Sequence, residues 1–208
     1  MRNVPNILSL VRLLFTIPLV ILILVNMPAA YLWATALFLI GAITDTLDGR
    51  IARRYKVVSN LGVFLDLTAD KVYVAAALVA YTQVGVAPAW IAIIIITREF
   101  MVSGLRSLAA SQGVVIPAGR LGKQKTFFTL VAIGGILLSR GLGGRTAFPL
   151  GLSTSAAAPQ SIPDFMLAIS DALLLLAVIW TILSAVEYIR GAWELLMSSQ
   201  PSQRARDQ

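Results

Sequence analysis

Six apolar runs, each near the roughly 20 residues that a bilayer-spanning helix needs, constrain this chain more than any other feature of it. They cover about 8–26, 30–49, 62–83, 89–110, 124–142 and 166–188. With 58% hydrophobic residues, 13% charged residues and a mean hydropathy of +0.83, the chain is too apolar for a soluble domain of its length. The expected fold class is all-α: a polytopic membrane protein with six transmembrane helices. Uncharged turns, Asn26-Met27-Pro28 and Val84-Gly85-Val86-Ala87-Pro88, join the first pair of runs and the third to the fourth. The fifth run is the weakest, because Gly134-Gly135 interrupts it and Lys125 must snorkel to the surface. The sixth leads through Tyr188, Arg190 and Trp193 into an amphipathic end.

Basic residues accumulate in cytoplasmic connections, so their positions set the orientation. Arg2, Arg12, Arg50, Arg53, Arg54, Lys56, Arg106, Arg120, Lys123, Lys125, Arg190, Arg204 and Arg206 fall on one side, against Arg140 and Arg145 on the other. Both termini are expected in the cytoplasm, and Gly141 to Pro163 is expected outside. Arg2 ahead of an apolar run could open a secretory signal, but no small-residue cleavage site follows and the run continues to Val25. It is expected to stay as the first span. One transmembrane domain over 1–197 and a polar tail over 198–208 complete the organisation.

The chain has no cysteine and no histidine, which excludes disulfides, thiolate or imidazole metal sites, cysteine nucleophiles and Ser-His-Asp triads. Acid–base or metal chemistry must then fall to carboxylates. Asp45, Asp48, Asp66 and Asp70 are the ones to explain, because they lie in or beside apolar runs, where ionisable groups are expensive. Asp48 and Asp45 sit about one and two turns inside the second run, and Asp66 and Asp70 about one and two turns inside the third. All four arrive at one depth. Spacings of three and four put each pair on one helical face, and the two faces can meet across the hairpin.

Four anions share a partly dry pocket only with cations present. Oxygen donors without nitrogen or sulfur suit Mg²⁺, Mn²⁺ or Ca²⁺, and two such ions would neutralise the cluster and clamp a pyrophosphate. Gly49 leaves the backbone open beside Asp48, and Arg53, about one turn on, suits a phosphate. The plain alternative is a set of interhelical salt bridges to Lys71, Arg53 or Arg54. Four acids on two facing stripes are hard to explain as packing. The net charge of +7 is then read as topology and an anionic substrate, not as nucleic-acid binding.

Asp45, Asp48, Gly49, Ala52, Arg53, Gly62, Asp66 and Asp70 fit the pattern D-x2-D-G-x2-A-R-x8-G-x3-D-x3-D in full. This pattern resembles the signature of the CDP-alcohol phosphotransferase family. Pro5-Asn6 through Ser9 to Arg12 is similar to the family's N-terminal element, and Thr97 to Phe100, Gly104 to Arg106 and Gly122 to Thr126 resemble its phosphatidylglycerophosphate-forming branch. The resemblance implies a homodimer, a cytoplasm-facing site in the inner membrane and two divalent cations, Mg²⁺ or Mn²⁺. It implies that Asp45 and Asp66 bridge both metals, that Asp48 binds one, and that Asp70 binds the other and acts as general base. Gly49, Arg53 and Ser59 would contact the CDP moiety, with Asn6 and Ser9 closing over it.

On this resemblance an acceptor hydroxyl, deprotonated by Asp70, attacks the diacylglycerol-linked phosphorus of CDP-diacylglycerol and CMP leaves. Arg98, Arg106, Lys123 and Lys125 supply the phosphate pocket that a phosphorylated acceptor needs, which favours glycerol 3-phosphate. As plain surface anchors Arg120 and Lys125 would need no ligand. Glu99 is expected to reach Ser103 or Arg106 along its own helix face, since adjacent helical residues do not face each other. The rival acceptors are those of phosphatidylinositol phosphate and phosphatidylserine synthases. A cation-coupled transporter is the rival class, though the inverted repeats it would carry are absent. Asp171, Glu187 and Glu194 lie off the motif, and Asp171 is expected to hydrogen-bond a neighbouring helix or water. Trp33, Trp90, Trp180 and Trp193 read as interfacial or packing aromatics, and Gly141-Leu142-Gly143-Gly144 lacks the strand of a phosphate loop.

Overall fold

The computed structural model describes residues 4–55, 60–111, 120–145 and 160–198. Their regular structure is entirely helical: α1 (Val4–Val25), α2 (Pro28–Tyr55), α3 (Asn60–Gln83), α4 (Ala89–Ser111), α5 (Arg120–Gly141) and α6 (Ile162–Ser198). The all-α class and the order of six helices agree with the apolar runs. Two helices exceed their runs most: α2 continues to Tyr55, and α6 spans 37 residues. Loss of hydrophobicity does not end a helix where no proline or capping glycine interrupts it. The motif aspartates consequently sit deeper than the runs suggest. Asp48 and Asp66 lie about two turns from the facing helix ends, and Asp45 and Asp70 about three. Their matched depth is preserved.

The turns follow from local chemistry. After α3, Gly85 takes φ 70°, Val86 N–H donates to Tyr81 O at 2.9 Å and Gly85 N–H to Thr82 O at 3.2 Å. After α5, Gly143 at φ 96° stands in the same place, with Gly144 N–H on Ser139 O at 2.9 Å. Both are Schellman caps, which satisfy terminal carbonyls through a left-handed residue that glycine adopts without strain. Asn26, at φ 54°, turns the chain between α1 and α2 and accepts the Tyr31 hydroxyl on Oδ1 at 2.8 Å.

α1 packs against both α2 and α3, while α5 packs against α2 and α6, and α4 against α3 and α6. Side chains carry the contact between α2 and α3: the Tyr73 ring stacks on Phe38 at 5.6 Å, and its hydroxyl donates to Leu37 O at 2.9 Å. Glycine permits the close α5–α6 contact. A Cβ at Gly135 would lie 2.3 Å from Ser170 Oγ, so Gly135 lets the two helices come together, and the pair Gly134-Gly135 does not break α5.

Around an apolar core the outer surface is apolar as well, while several charged side chains are buried. Leu10, Leu14, Ile17, Ile21 and Leu24 form an exposed apolar stripe on α1, spaced alternately four and three. Arg12, Arg98, Lys125 and Asp171 are buried. The 30-residue stretch Ile162–Gly191 is long and apolar enough to cross a membrane, and Ser9–Val25 and Pro28–Thr44 are shorter apolar stretches. Arg12, counted among the charges of the cytoplasmic side, is buried at 2% exposure. Asp171, expected to hydrogen-bond a neighbouring helix or water, is 2% exposed, and its Oδ1 has no hydrogen-bond partner among the described residues.

Candidate active site

The backbone of the motif is helical throughout its described part. Asp45, Asp48, Gly49 and Arg53 belong to α2, Asp66 and Asp70 to α3, and Asn6 and Ser9 to α1. The side chains of Asn6, Asp45, Asp48, Arg53, Asp66 and Lys123 lie outside the described residues, as does all of Ser59. Ser9 and Arg12 are both buried, about one turn apart on α1. Asp70 is half-buried.

Asp70 lines a cavity of about 30 Å³ together with Lys71 of α3, Glu99 of α4, and Lys125, Thr126 and Thr129 of α5. That is room for roughly one water. Val74, Ile95 and Leu130 close its apolar side, so charges at its polar end act across a poorly hydrated space. Among its lining residues, Lys125 and Glu99 pair with each other.

Lys125, 3% exposed, forms an ion pair with Glu99. The snorkelling expected of Lys125 is therefore corrected: the ammonium turns inward to a carboxylate. Arg98 Nη1 also donates to Glu99 Oε1, at 2.9 Å. Glu99 thus bridges two cations from different helices and does not run along α4 to Ser103 or Arg106. The spacing rule follows Cβ directions, whereas a guanidinium on three methylenes reaches past its own Cβ to a neighbouring side chain.

α6 holds the other end of this cluster. Arg98 Nη2 donates to Ser184 Oγ, and Arg106 Nη2 donates to the Tyr188 hydroxyl at 2.6 Å. The Arg98 and Arg106 guanidinium carbons lie 5.9 and 5.3 Å from the centroid of the same Tyr188 ring. The structure thus brings Arg98, Arg106 and Lys125 into one network joined by Glu99, Ser184 and Tyr188. Sequence reasoning missed Ser184 and Tyr188 as site residues. The available signal was two hydroxyls at helical spacing near the end of the longest apolar run, opposite two arginines of α4.

Carboxylate pairs carried on α2 and α3, with a basic network beside Asp70, sit in a chain whose relatives are phosphatidyl-transferring enzymes. The chain belongs to the CDP-alcohol phosphatidyltransferase family, whose model matches residues 2–198. It is 36% identical to the CDP-diacylglycerol--glycerol-3-phosphate 3-phosphatidyltransferase of Bacillus subtilis (strain 168), over 96% of this chain and 100% of that protein. An enzyme of the same name from Rickettsia typhi is 35% identical over 69% of this chain and 81% of its own length, and one from Rickettsia bellii is 36% identical over 66% and 76%.

Proposed function

We propose that this protein transfers the phosphatidyl group of CDP-diacylglycerol to the hydroxyl of glycerol 3-phosphate, giving phosphatidylglycerophosphate and CMP. The observation that carries the acceptor assignment is that Asp70 and Lys125 line one cavity, with Arg98 and Arg106 networked behind it. Lys71, Arg98, Arg106 and Lys125 against Asp70 and Glu99 leave two positive charges there. A phosphate monoester carries about −1.5 to −2 at neutral pH, so the balance suits a phosphorylated acceptor and is in excess for serine. The names of the relatives point the same way.

In this reading the acceptor phosphate is held by Arg98, Arg106, Lys125 and Lys123. The acceptor hydroxyl gives its proton to Asp70 as its oxygen forms a bond to the diacylglycerol-linked phosphorus, and the bond from that phosphorus to the CMP oxygen breaks. Asn6, Ser9, Gly49, Arg53 and Ser59 hold the CDP moiety. The donor set of Asp45, Asp48, Asp66 and Asp70, all oxygen and matched in depth on α2 and α3, fits two hard divalent cations, Mg²⁺ or Mn²⁺. When bound, such ions polarise a pyrophosphate and stabilise its leaving oxygen. The chain's part is to fix donor and acceptor in line, which supplies most of the acceleration in phosphoryl transfer.

The same reading places the protein as a homodimer in the cytoplasmic membrane, with six spans, both termini inside and the site facing the cytoplasm. The deciding experiment is CMP release from CDP-diacylglycerol by purified protein with Mg²⁺ or Mn²⁺ and one acceptor at a time. Stimulation by glycerol 3-phosphate and not by serine or inositol phosphate is expected. Stimulation by either of those instead reassigns the acceptor, and no release with any acceptor ends the transferase reading.

A further inference from the structure

Arg98 and Arg106 are eight residues apart on α4, so their Cα atoms stand about 12 Å apart along the helix axis. Two side chains so separated converge on one phosphate only if something holds both toward the midpoint. The Tyr188 ring from α6 lies between them in effect, with both guanidinium carbons within cation–π reach, at 5.9 and 5.3 Å from its centroid. Its hydroxyl also accepts the Arg106 hydrogen bond at 2.6 Å. One turn earlier on the same face of α6, Ser184 accepts from the other nitrogen end of Arg98. Tyr188 and Ser184 are both buried, at 5% and 0% exposure, so these contacts are built into the helix packing.

The kinds of partner differ along the network. Arg98 and Lys125 are committed to the Glu99 carboxylate, with which any incoming anion must compete. The Arg106 side chain is exposed, and its hydrogen-bond partner among the described residues is a neutral phenol. A phenol orients a guanidinium without neutralising it, which leaves Arg106 charged and aimed. Arg98, two turns away, is drawn to the same ring.

We infer that Tyr188 is a positioning residue for the acceptor: it holds Arg106, and through its ring Arg98, in the geometry that reads the acceptor's phosphate. Selectivity for a phosphorylated over an unphosphorylated alcohol therefore depends on a residue of α6 that carries no charge. This inference rests on the acceptor reading given above.

The test uses full-length protein in detergent or liposomes and compares Tyr188→Phe, Tyr188→Leu, Arg106→Ala and the Tyr188→Phe/Arg106→Ala double variant. Tyr188→Phe keeps the ring and loses one hydrogen bond to a charged group, so KM for glycerol 3-phosphate should rise about tenfold. Tyr188→Leu loses the cation–π contacts as well and should raise it about 30-fold. KM for CDP-diacylglycerol and kcat at saturating acceptor should stay near wild type in both. The preference for glycerol 3-phosphate over glycerol should fall in step, and Tyr188→Phe should add nothing once Arg106 is alanine. Acceptor KM unchanged in both Tyr188 variants, with Arg106→Ala still raising it, overturns the inference and leaves the acceptor pocket standing. Equal losses in kcat and both KM values also overturn it, since they mark a structural role. If Arg106→Ala leaves acceptor KM unchanged, the acceptor pocket itself fails and this inference falls with it.

Discussion

The ammonium of Lys125, on α5, is buried against the carboxylate of Glu99, on α4, which also takes a 2.9 Å hydrogen bond from Arg98 Nη1. The two lysine and glutamate side chains retain 4% and 24% exposure. Removing one partner of a buried pair costs more than the pair itself contributes, because the remaining charge is left without compensation. Glu99→Gln is expected to destabilise the protein by about 3 kcal/mol, read as a lowered Tm in detergent. The double variant Glu99→Gln/Lys125→Gln should recover part of that loss. A double variant less stable than Glu99→Gln alone would show that Lys125 is held by something other than this carboxylate.

Asp70 is the one motif aspartate whose side chain lies among the described residues, and it lines the cavity shared with Lys125. Asparagine preserves its shape and leaves a neutral oxygen donor for a metal, but removes its charge and its ability to take a proton. Asp70→Asn should lower kcat by at least about 100-fold, the usual contribution of a positioned general base, while binding of CDP-diacylglycerol stays within a few-fold of wild type. Turnover near wild type, measured as CMP release, would remove Asp70 from the proton-accepting role.

The donor set of the motif contains only carboxylate oxygens, and the chain has no histidine or cysteine with which to replace them. Chelation with EDTA is therefore expected to abolish CMP release, and excess Mg²⁺ or Mn²⁺ to restore it. Zn²⁺, which prefers nitrogen and sulfur ligands, should restore it poorly. Full activity after exhaustive chelation would separate this chain's chemistry from that of a two-metal site.

Apolar run length made the six helices legible in the sequence, and matched depth made the carboxylate motif legible before any coordinates. Two kinds of relationship were not. The bridge from Glu99 to Lys125 depends on how far long side chains reach across α4 and α5, and a spacing rule for a single helix carries no information about a neighbour's position. Tyr188 looked like part of an amphipathic end because its partners, Arg98 and Arg106, are some eighty to ninety residues earlier in the chain. Gly134-Gly135 looked like a weakness in α5 for the same reason. Its use is visible only once α6 is packed against it.

That packing gives a prediction independent of catalysis. At Gly135 a methyl group would lie 2.3 Å from Ser170 Oγ and 3.2 Å from its Cβ, and Ser170 Oγ is itself engaged with Met166 O at 2.8 Å. The hydroxyl cannot stay where it is, and the Cβ contact presses on the backbone of α6. Gly135→Ala adds intrinsic helix propensity of about 1 kcal/mol, but overpacking of this kind costs about 1–3 kcal/mol, so a net loss is expected. It should appear as a lowered Tm. Adding Ser170→Ala removes the closer of the two contacts and the buried hydroxyl together, so the double variant should regain most of the loss. Gly134, where a Cβ would meet the Phe38 ring at an ordinary 3.7 Å, supplies the control. Gly134→Ala should be neutral or stabilising, and a loss there as large as at Gly135 would mean that helix flexibility, not close approach to α6, is what the glycine pair provides.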